Sequence, residues 1–250
     1  MSSLDLESRL IYRDGLMLII DKPAGLPVHA GPRGGASLED YFGELTFGLP
    51  RNPSLAHRLD RDTSGCLILG RHRKALRKLG KLFMQGRIEK TYWAIVTGEP
   101  PAEEGRIDLP LLKQTQKSGW RMTPHKDGQV AITDYRVRGR SGDLTWLELY
   151  PRTGRTHQLR VHCASMGCPI LGDPVYAATP GADDEPMHLL ARAVRVPLYP
   201  NRDPILCLAA PPAHMQKALS ACGFGPDVEP ILPPPGQSLI DDTADLGLDD

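Results

Sequence analysis

Residues 55–70 read Leu-Ala-His-Arg-Leu-Asp-Arg-Asp-Thr-Ser-Gly-Cys-Leu-Ile-Leu-Gly, two apolar runs joined by a charged loop. Residues 55–60 and 66–70 have the composition of strand segments, and Asp-Thr-Ser-Gly at 62–65 is a turn sequence. A polar loop held between two apolar strands is where chemistry concentrates. Asp60 closes the first run with Arg58 and Arg61 beside it. A lone acid is usually a solubility residue. An acid that ends an apolar strand among arginines is a better candidate for a carboxylate held ionised.

Working outward, residues 9–21 form two short strands around Arg13-Asp14-Gly15, and a Pro- and Gly-punctuated loop follows over 22–35. Ser37 caps a helix whose first turn carries Asp40. Residues 72–85 place Ala75, Leu76, Leu79, Leu82 and Phe83 on one helical face, with basic residues opposite and Gly86 as the stop. Residues 90–97, 131–137 and 145–150 carry the β-branched and aromatic content of strands. Thr156 caps a helix that runs to Met166 and ends at Gly167, with Leu159, Cys163 and Met166 on its buried stripe. Strands at 188–198 and 205–209 and a helix at 212–222 complete the pattern. Strands follow one another through turns without regular alternation with helices. The expectation is an α+β fold with a mainly antiparallel mixed sheet.

The chain has 250 residues, of which 24% are charged and 40% hydrophobic, an ordinary globular composition. It contains no apolar run long enough to span a bilayer and no signal-peptide pattern near its start, so a cytoplasmic protein without a membrane partner is expected. Five cysteines without metal-knuckle spacing fit reduced thiols.

Formal net charge is zero, which argues superficially against a nucleic-acid partner. The average conceals an asymmetry. Beyond Cys222 there are seven acids and no Lys or Arg, and setting those acids aside leaves 30 basic against 23 acidic residues. The stretch 51–90 alone holds eleven Lys and Arg against Asp60, Asp62 and Glu89. A basic face is expected there, of the kind that binds phosphate. Residues 1–222 read as the folded unit and 223–250 as a Pro-rich acidic tail.

Four segments now carry a resemblance. His57-Arg58-Leu59-Asp60-Arg61-Asp62-Thr63-Ser64-Gly65 resembles the catalytic loop of the RluA-type RNA pseudouridine synthases. Asp21-Lys22-Pro23-Ala24-Gly25 is similar to their N-terminal loop and Lys90-Thr91-Tyr92 to their tyrosine motif. The segment 152–162, Arg-Thr-Gly-Arg-Thr-His-Gln-Leu-Arg-Val-His, is similar to their arginine motif, and Gly172-Asp173-Pro174-Val175-Tyr176 continues the match. Four motifs in the expected order across residues 10–215 make chance a poor account. One departure is Leu190, which stands where many relatives carry histidine.

The resemblance implies two subdomains around a catalytic cleft and isomerisation of a uridine in tRNA or large-subunit rRNA, by a monomer needing no cofactor and no metal. It implies Asp60 as the catalytic carboxylate, Arg160 as its cationic partner and Tyr92 as a ring packed on the target uracil with a hydroxyl able to move protons. Whether the carboxylate attacks the sugar C1′ or the ring C6 stays open. The target base must leave its stack. Arg58 would fill the vacated space or hold the everted nucleotide's phosphate, and Arg155, His157 and Gln158 would bind substrate. His57 reads as a packing residue.

Two rival readings fit the residues less well. His157 and His162 suggest a metal-dependent hydrolase, but five residues of helix separate them by about 140°. A catalytically silent RNA-binding scaffold has no use for Asp60, Tyr92 and Arg160.

Overall fold

Period-two alternation and helical periodicity resolve into twelve strands and three helices in the computed structural model, which describes residues 4–31, 34–116, 119–177 and 185–233. The strands are β1 (Leu10–Arg13), β2 (Met17–Lys22), β3 (Ser54–Leu55), β4 (Ser64–Gly70), β5 (Glu89–Thr97) and β6 (Glu104–Asp108). They continue with β7 (Leu111–Gln116), β8 (Gly119–Pro124), β9 (Ile132–Ser141), β10 (Leu144–Pro151), β11 (Leu189–Val196) and β12 (Ile205–Leu208). The α-helices are α1 (Arg73–Met84), α2 (Gln158–Ser165) and α3 (Ala213–Ala221), and a 3-10 helix spans Leu38–Leu45.

Ten strands make one sheet in the order β1-β2-β4-β11-β5-β10-β9-β6, with β12 on β11 and β3 on β4. β11 runs parallel to β4 and antiparallel to β5. The remaining pairs in the sheet are antiparallel. This is the mixed, mainly antiparallel α+β architecture expected. β7 and β8 form a separate two-stranded hairpin.

Alternation along the central strands divides the core. One face of the sheet packs Trp93, Trp146, Ile68 and Val194 under α1 and α3, through Leu79, Leu82, Met215 and Leu219. Trp93 and Trp146 meet edge to face, centroids 4.7 Å apart, a favoured aromatic geometry. The other face carries two clusters, one around Leu18, Ile20, Leu67 and Leu69 and one around Ala94, Leu147, Leu149 and Leu159. Tyr92 packs against both. The two expected halves therefore share one continuous sheet, and Tyr92 sits at their junction.

Several boundaries differ from those expected. Residues 56–60 do not extend β3. After Ala56 N–H donates to Ile68 O, the next ladder acceptor is a side chain: His57 Nε2 accepts from Ile68 N–H at 3.0 Å. That substitution releases the backbone of residues 58–60 from β4. Burial pushes the His57 imidazole down to about 3, so it stays a neutral acceptor, and its packing role holds. α2 begins after His157, not Thr156, because His157 adopts left-handed φ 54 and stops the helix from extending backwards. The hairpin β7–β8 and strand β6 escaped the sequence reading.

Residues 223–233, grouped by composition with the tail, lie against the sheet. Phe224 stacks edge-on against Trp93 and Trp146, and Ile231 N–H donates to the buried Glu148 carboxylate. Residues 234–250, with most of the acids, fall outside the described residues. Among the described residues no helix is long and apolar enough to cross a membrane.

Gly65 in the central motif is required by the backbone around it. Its φ is +103, which side chains rarely adopt, and a Cβ there would collide with the carbonyl oxygen of Ala191 and lie 2.8 Å from Leu190 Cδ1. The parallel β4–β11 contact exists because this residue has no side chain. Gly65→Ala is expected to cost on the order of 3 kcal/mol or more by combining backbone strain with overpacking. Urea unfolding measures it, and a loss below about 1 kcal/mol would show that the strands separate easily.

Candidate active site

Leu59 is buried in the cluster beneath β2 and β4, and this anchor fixes the loop that carries its neighbour. The Asp60 side chain is left 28% exposed, facing a cleft, while its carbonyl accepts from Thr63 N–H at 3.2 Å to close the turn into β4. Lys22, fully buried at the end of β2, clamps the same loop. Its Nζ donates to Pro23 O at 2.6 Å and to Arg61 O at 2.8 Å. Burial pushes this ammonium down to about 8, against the opposing pull of Asp62, Asp60 and Asp21.

Across the cleft, α2 presents Arg160. Its Nη1 stands 3.4 Å from Asp60 Oδ2, while Nε and Nη2 make two 2.7 Å bonds to Asp173 Oδ2 and Oδ1. The expected Asp60–Arg160 pairing is present but is the longer arm of a triad. Two short parallel bonds make Asp173 the dominant partner. Arg160 is 5% exposed and Asp173 fully buried. Burial alone would raise the Asp173 carboxyl. The Arg160 guanidinium and the backbone N–H groups of Val175 and Tyr176 outweigh it and hold Asp173 below the usual carboxylate range. Gly172, at φ +73, permits the turn, since a Cβ there would crowd the Glu185 and Pro186 carbonyls.

His157 sits beside this triad. Tyr176 OH accepts from Met122 N–H at 3.0 Å and shares a 2.9 Å hydrogen bond with His157 Nδ1. The other ring nitrogen, Nε2, stands 3.9 Å from Asp60 Oδ2. Burial holds the His157 imidazole below its usual range despite the nearby Asp60 charge, in keeping with a neutral ring. His162 looks elsewhere, with Nδ1 2.9 Å from Thr133 Oγ1 and Nε2 3.2 Å from Leu109 O.

The other expected site residues divide. Tyr92, Arg58 and Arg155 line the same cleft as Asp60. Burial, then the Asp60 charge, raises the Tyr92 phenol above its ordinary range, so it is protonated at neutral pH. Arg58 is exposed, and Arg155 donates Nε to Val130 O at 2.9 Å from an exposed position. Gln158 has a different part. It is 4% exposed, its Oε1 accepts from Thr153 Oγ1 and Arg155 N–H, and its Nε2 donates to Ile132 O and Thr133 Oγ1. An amide so engaged shapes the turn before α2, and Gln158 lines the cleft as well.

Sequence reasoning missed Asp173 and Lys22 as members of the site. Both lay inside quoted motifs, and the signal was there: an ionisable residue in a stretch otherwise destined for burial needs an opposite partner.

The cleft measures about 1800 Å³, above the roughly 300–1,000 Å³ of small-molecule pockets. Nine Lys and Arg line it against three Asp and Glu, which favours a polyanion. A wide basic cleft whose wall carries a carboxylate beside a buried guanidinium fits an enzyme that acts on nucleic acid.

Comparison with known proteins narrows the class. Residues 16–165 match the family model of RNA pseudouridylate synthases. The chain is 44% identical to an uncharacterized RNA pseudouridine synthase of Zymomonas mobilis, over 88% of this chain and 99% of that one. It is 35% identical to the ribosomal large subunit pseudouridine synthase C of Vibrio cholerae, over 86% of this chain and 70% of that one. The solved structure of human RNA pseudouridylate synthase domain containing 4 superposes with a TM-score of 0.74 at 26% identity, covering 87% and 94% of the two chains. The chain belongs to the RNA pseudouridine synthase family, of RluA type, and its activity is that of an isomerase.

Proposed function

We propose that the protein converts one or more specific uridines of tRNA or large-subunit rRNA to pseudouridine, with Asp60 as the catalytic carboxylate. The observation that carries this is the solvent-reaching Asp60 carboxylate 3.4 Å from the Arg160 guanidinium, in a cleft that Tyr92 also lines. A relative whose name places it on the large ribosomal subunit favours rRNA of the two.

The reaction is balanced without oxidant or co-substrate. The bond from N1 to C1′ breaks, a bond from C5 to C1′ forms, C5 loses a proton and N1 gains one. Asp60 opens the sequence as nucleophile at C1′ or C6. Arg160, fixed by Asp173, keeps a positive charge beside that carboxylate throughout. The Tyr92 phenol, protonated because its burial raises it, packs on the uracil and donates hydrogen bonds, and is unsuited to removing the C5 proton. That leaves the released Asp60 carboxylate as the base for that step. Arg58 and Arg155, on opposite segments of the lining, hold phosphates of the everted nucleotide.

Transcripts carrying tritium at uridine C5 test the reading, since tritium is released only when C5 changes partner. Absence of release from every tRNA and rRNA offered would overturn it. RNA affinity should also fall steeply with salt, because each neutralised phosphate releases counterions. Binding of unfractionated tRNA is expected to weaken on the order of 10³-fold between about 50 and 200 mM salt. A flat response in filter binding would remove the basic cleft as the RNA face.

A further inference from the structure

Trp120 is the exposed member of the chain's three tryptophans: Trp93 and Trp146 are 0% and 1% exposed, Trp120 45%. Exposing so large an apolar ring is unfavourable unless something covers it. Its place is specific. The hairpin β7–β8 is tied to the body at its base through Leu111, Met122, Ala131 and Val161, which form their own small core. Trp120 lies two residues from Met122 on the same strand, so both side chains leave the same face. That face is turned to the cleft, and Trp120 lines it.

There the indole stacks on His157, ring centroids 5.2 Å apart and planes at 25°, and the Lys113 ammonium lies 4.6 Å from its centroid. His157 in turn meets Tyr176 edge to face and reaches to within 3.9 Å of Asp60. An exposed indole with a mobile-stemmed ammonium over its ring, one ring removed from the Asp60 carboxylate, has the two elements that hold an unpaired nucleotide: a flat surface for the base once the lysine swings to the side, and a cation for its phosphate.

We propose that Trp120 is the stacking platform for an RNA base flanking the everted uridine, with Lys113 on that nucleotide's phosphate. The proposal rests on Asp60 marking the place of the target uridine. It makes the β7–β8 hairpin a determinant of which RNA is accepted, separate from the residues that rearrange the base. Stacking tolerates any base, so the platform selects for an unpaired neighbour rather than for its identity.

Iodide quenching of tryptophan fluorescence reads Trp120, because the charged quencher does not reach the two buried indoles. Unfractionated tRNA or a large-subunit rRNA transcript should protect Trp120 in the full chain. Trp120→Ala should weaken RNA binding and raise KM by a factor of roughly 5 to 150, the equivalent of ~1–3 kcal/mol for one stacked base, with kcat changed less than about twofold. Trp120→Phe, which keeps a ring, should stay within about fivefold of the parent. The proposal is overturned if neither RNA shields Trp120, or if Trp120→Ala binds RNA as the parent does. Full turnover by Asp60→Asn would instead sink the reading of the catalytic site, and shielding of Trp120 by RNA would be unaffected by that result.

Discussion

Asp60→Asn is expected to abolish turnover, by at least about 10³-fold, while fold and RNA affinity survive. Asparagine matches aspartate in shape but can neither form the ester-like bond nor take a proton. The structure says why the fold should tolerate it. Arg160 keeps its two 2.7 Å bonds to Asp173 whether or not Asp60 is charged, and Asp60 is already 28% exposed. No deeply buried group loses its partner. RNA binding should hold or tighten, since one negative charge leaves a cleft that meets phosphate. Single-turnover tritium release measures the first part and filter binding the second. Retention of more than about a tenth of parental turnover would show that another group does the chemistry.

Arg160→Met is expected to be costly in two ways. Turnover should fall by a comparable factor, because the cation beside Asp60 is gone. Stability should also fall, by about 3–5 kcal/mol, because Asp173 is left as a buried carboxylate without its partner. The resemblance implies Arg160 only as the cationic partner of Asp60, and a variant losing that contact alone would keep a near-native fold. The Asp173 bonds reverse that expectation.

The pH dependence of stability separates the two effects by sign. In the parent, Asp173 is held below the usual carboxylate range. Its contribution is present above the unfolded value of about 3.9 and is lost as pH falls from there through the depressed folded value. In Arg160→Met the buried, unpaired Asp173 has its pKa raised, so the folded state binds the extra proton. The variant should gain stability as pH is lowered through that raised value toward about 4. Urea midpoints between about pH 4 and 7 read the slope. A variant whose midpoint is unchanged from the parent at every pH would remove the Arg160–Asp173 pair as a structural element.

Local pattern made much of the fold legible. The amphipathic face of α1 shows in the spacing of Ala75, Leu79 and Leu82, all buried, with its cap at His72 and its stop at Gly86. Strands β2, β5, β10 and β11 announce themselves by β-branched and apolar content. Hairpin β7–β8 did not, because Leu-Leu-Lys-Gln-Thr-Gln and Gly-Trp-Arg-Met-Thr-Pro lack the apolar alternation of a half-buried sheet. Residues 56–60 failed in the other direction. Their pattern continues a strand, but a side chain, His57, takes over the ladder and frees the loop.

The site divides in the same manner. Asp60, Arg160 and Tyr92 were legible because a motif binds each to near neighbours in sequence. The structural bonds of Gln158 were not legible, because two of its four partners, Ile132 and Thr133, stand on β9, about 25 residues away.

What the sequence determined by itself is most of the elements, the basic middle of the chain and the motifs that carry the family resemblance, since these depend on interactions a few residues long. Only the tertiary structure decided that Asp173, and not Asp60, takes the two short bonds of Arg160. Insertion of β11 between β4 and β5 and the approach of α2 bring together groups 100 residues apart, such as Asp60 and Arg160. The physical reason is that an ion pair's strength depends on distance and burial, and both are set by sheet order and packing, not by separation along the chain.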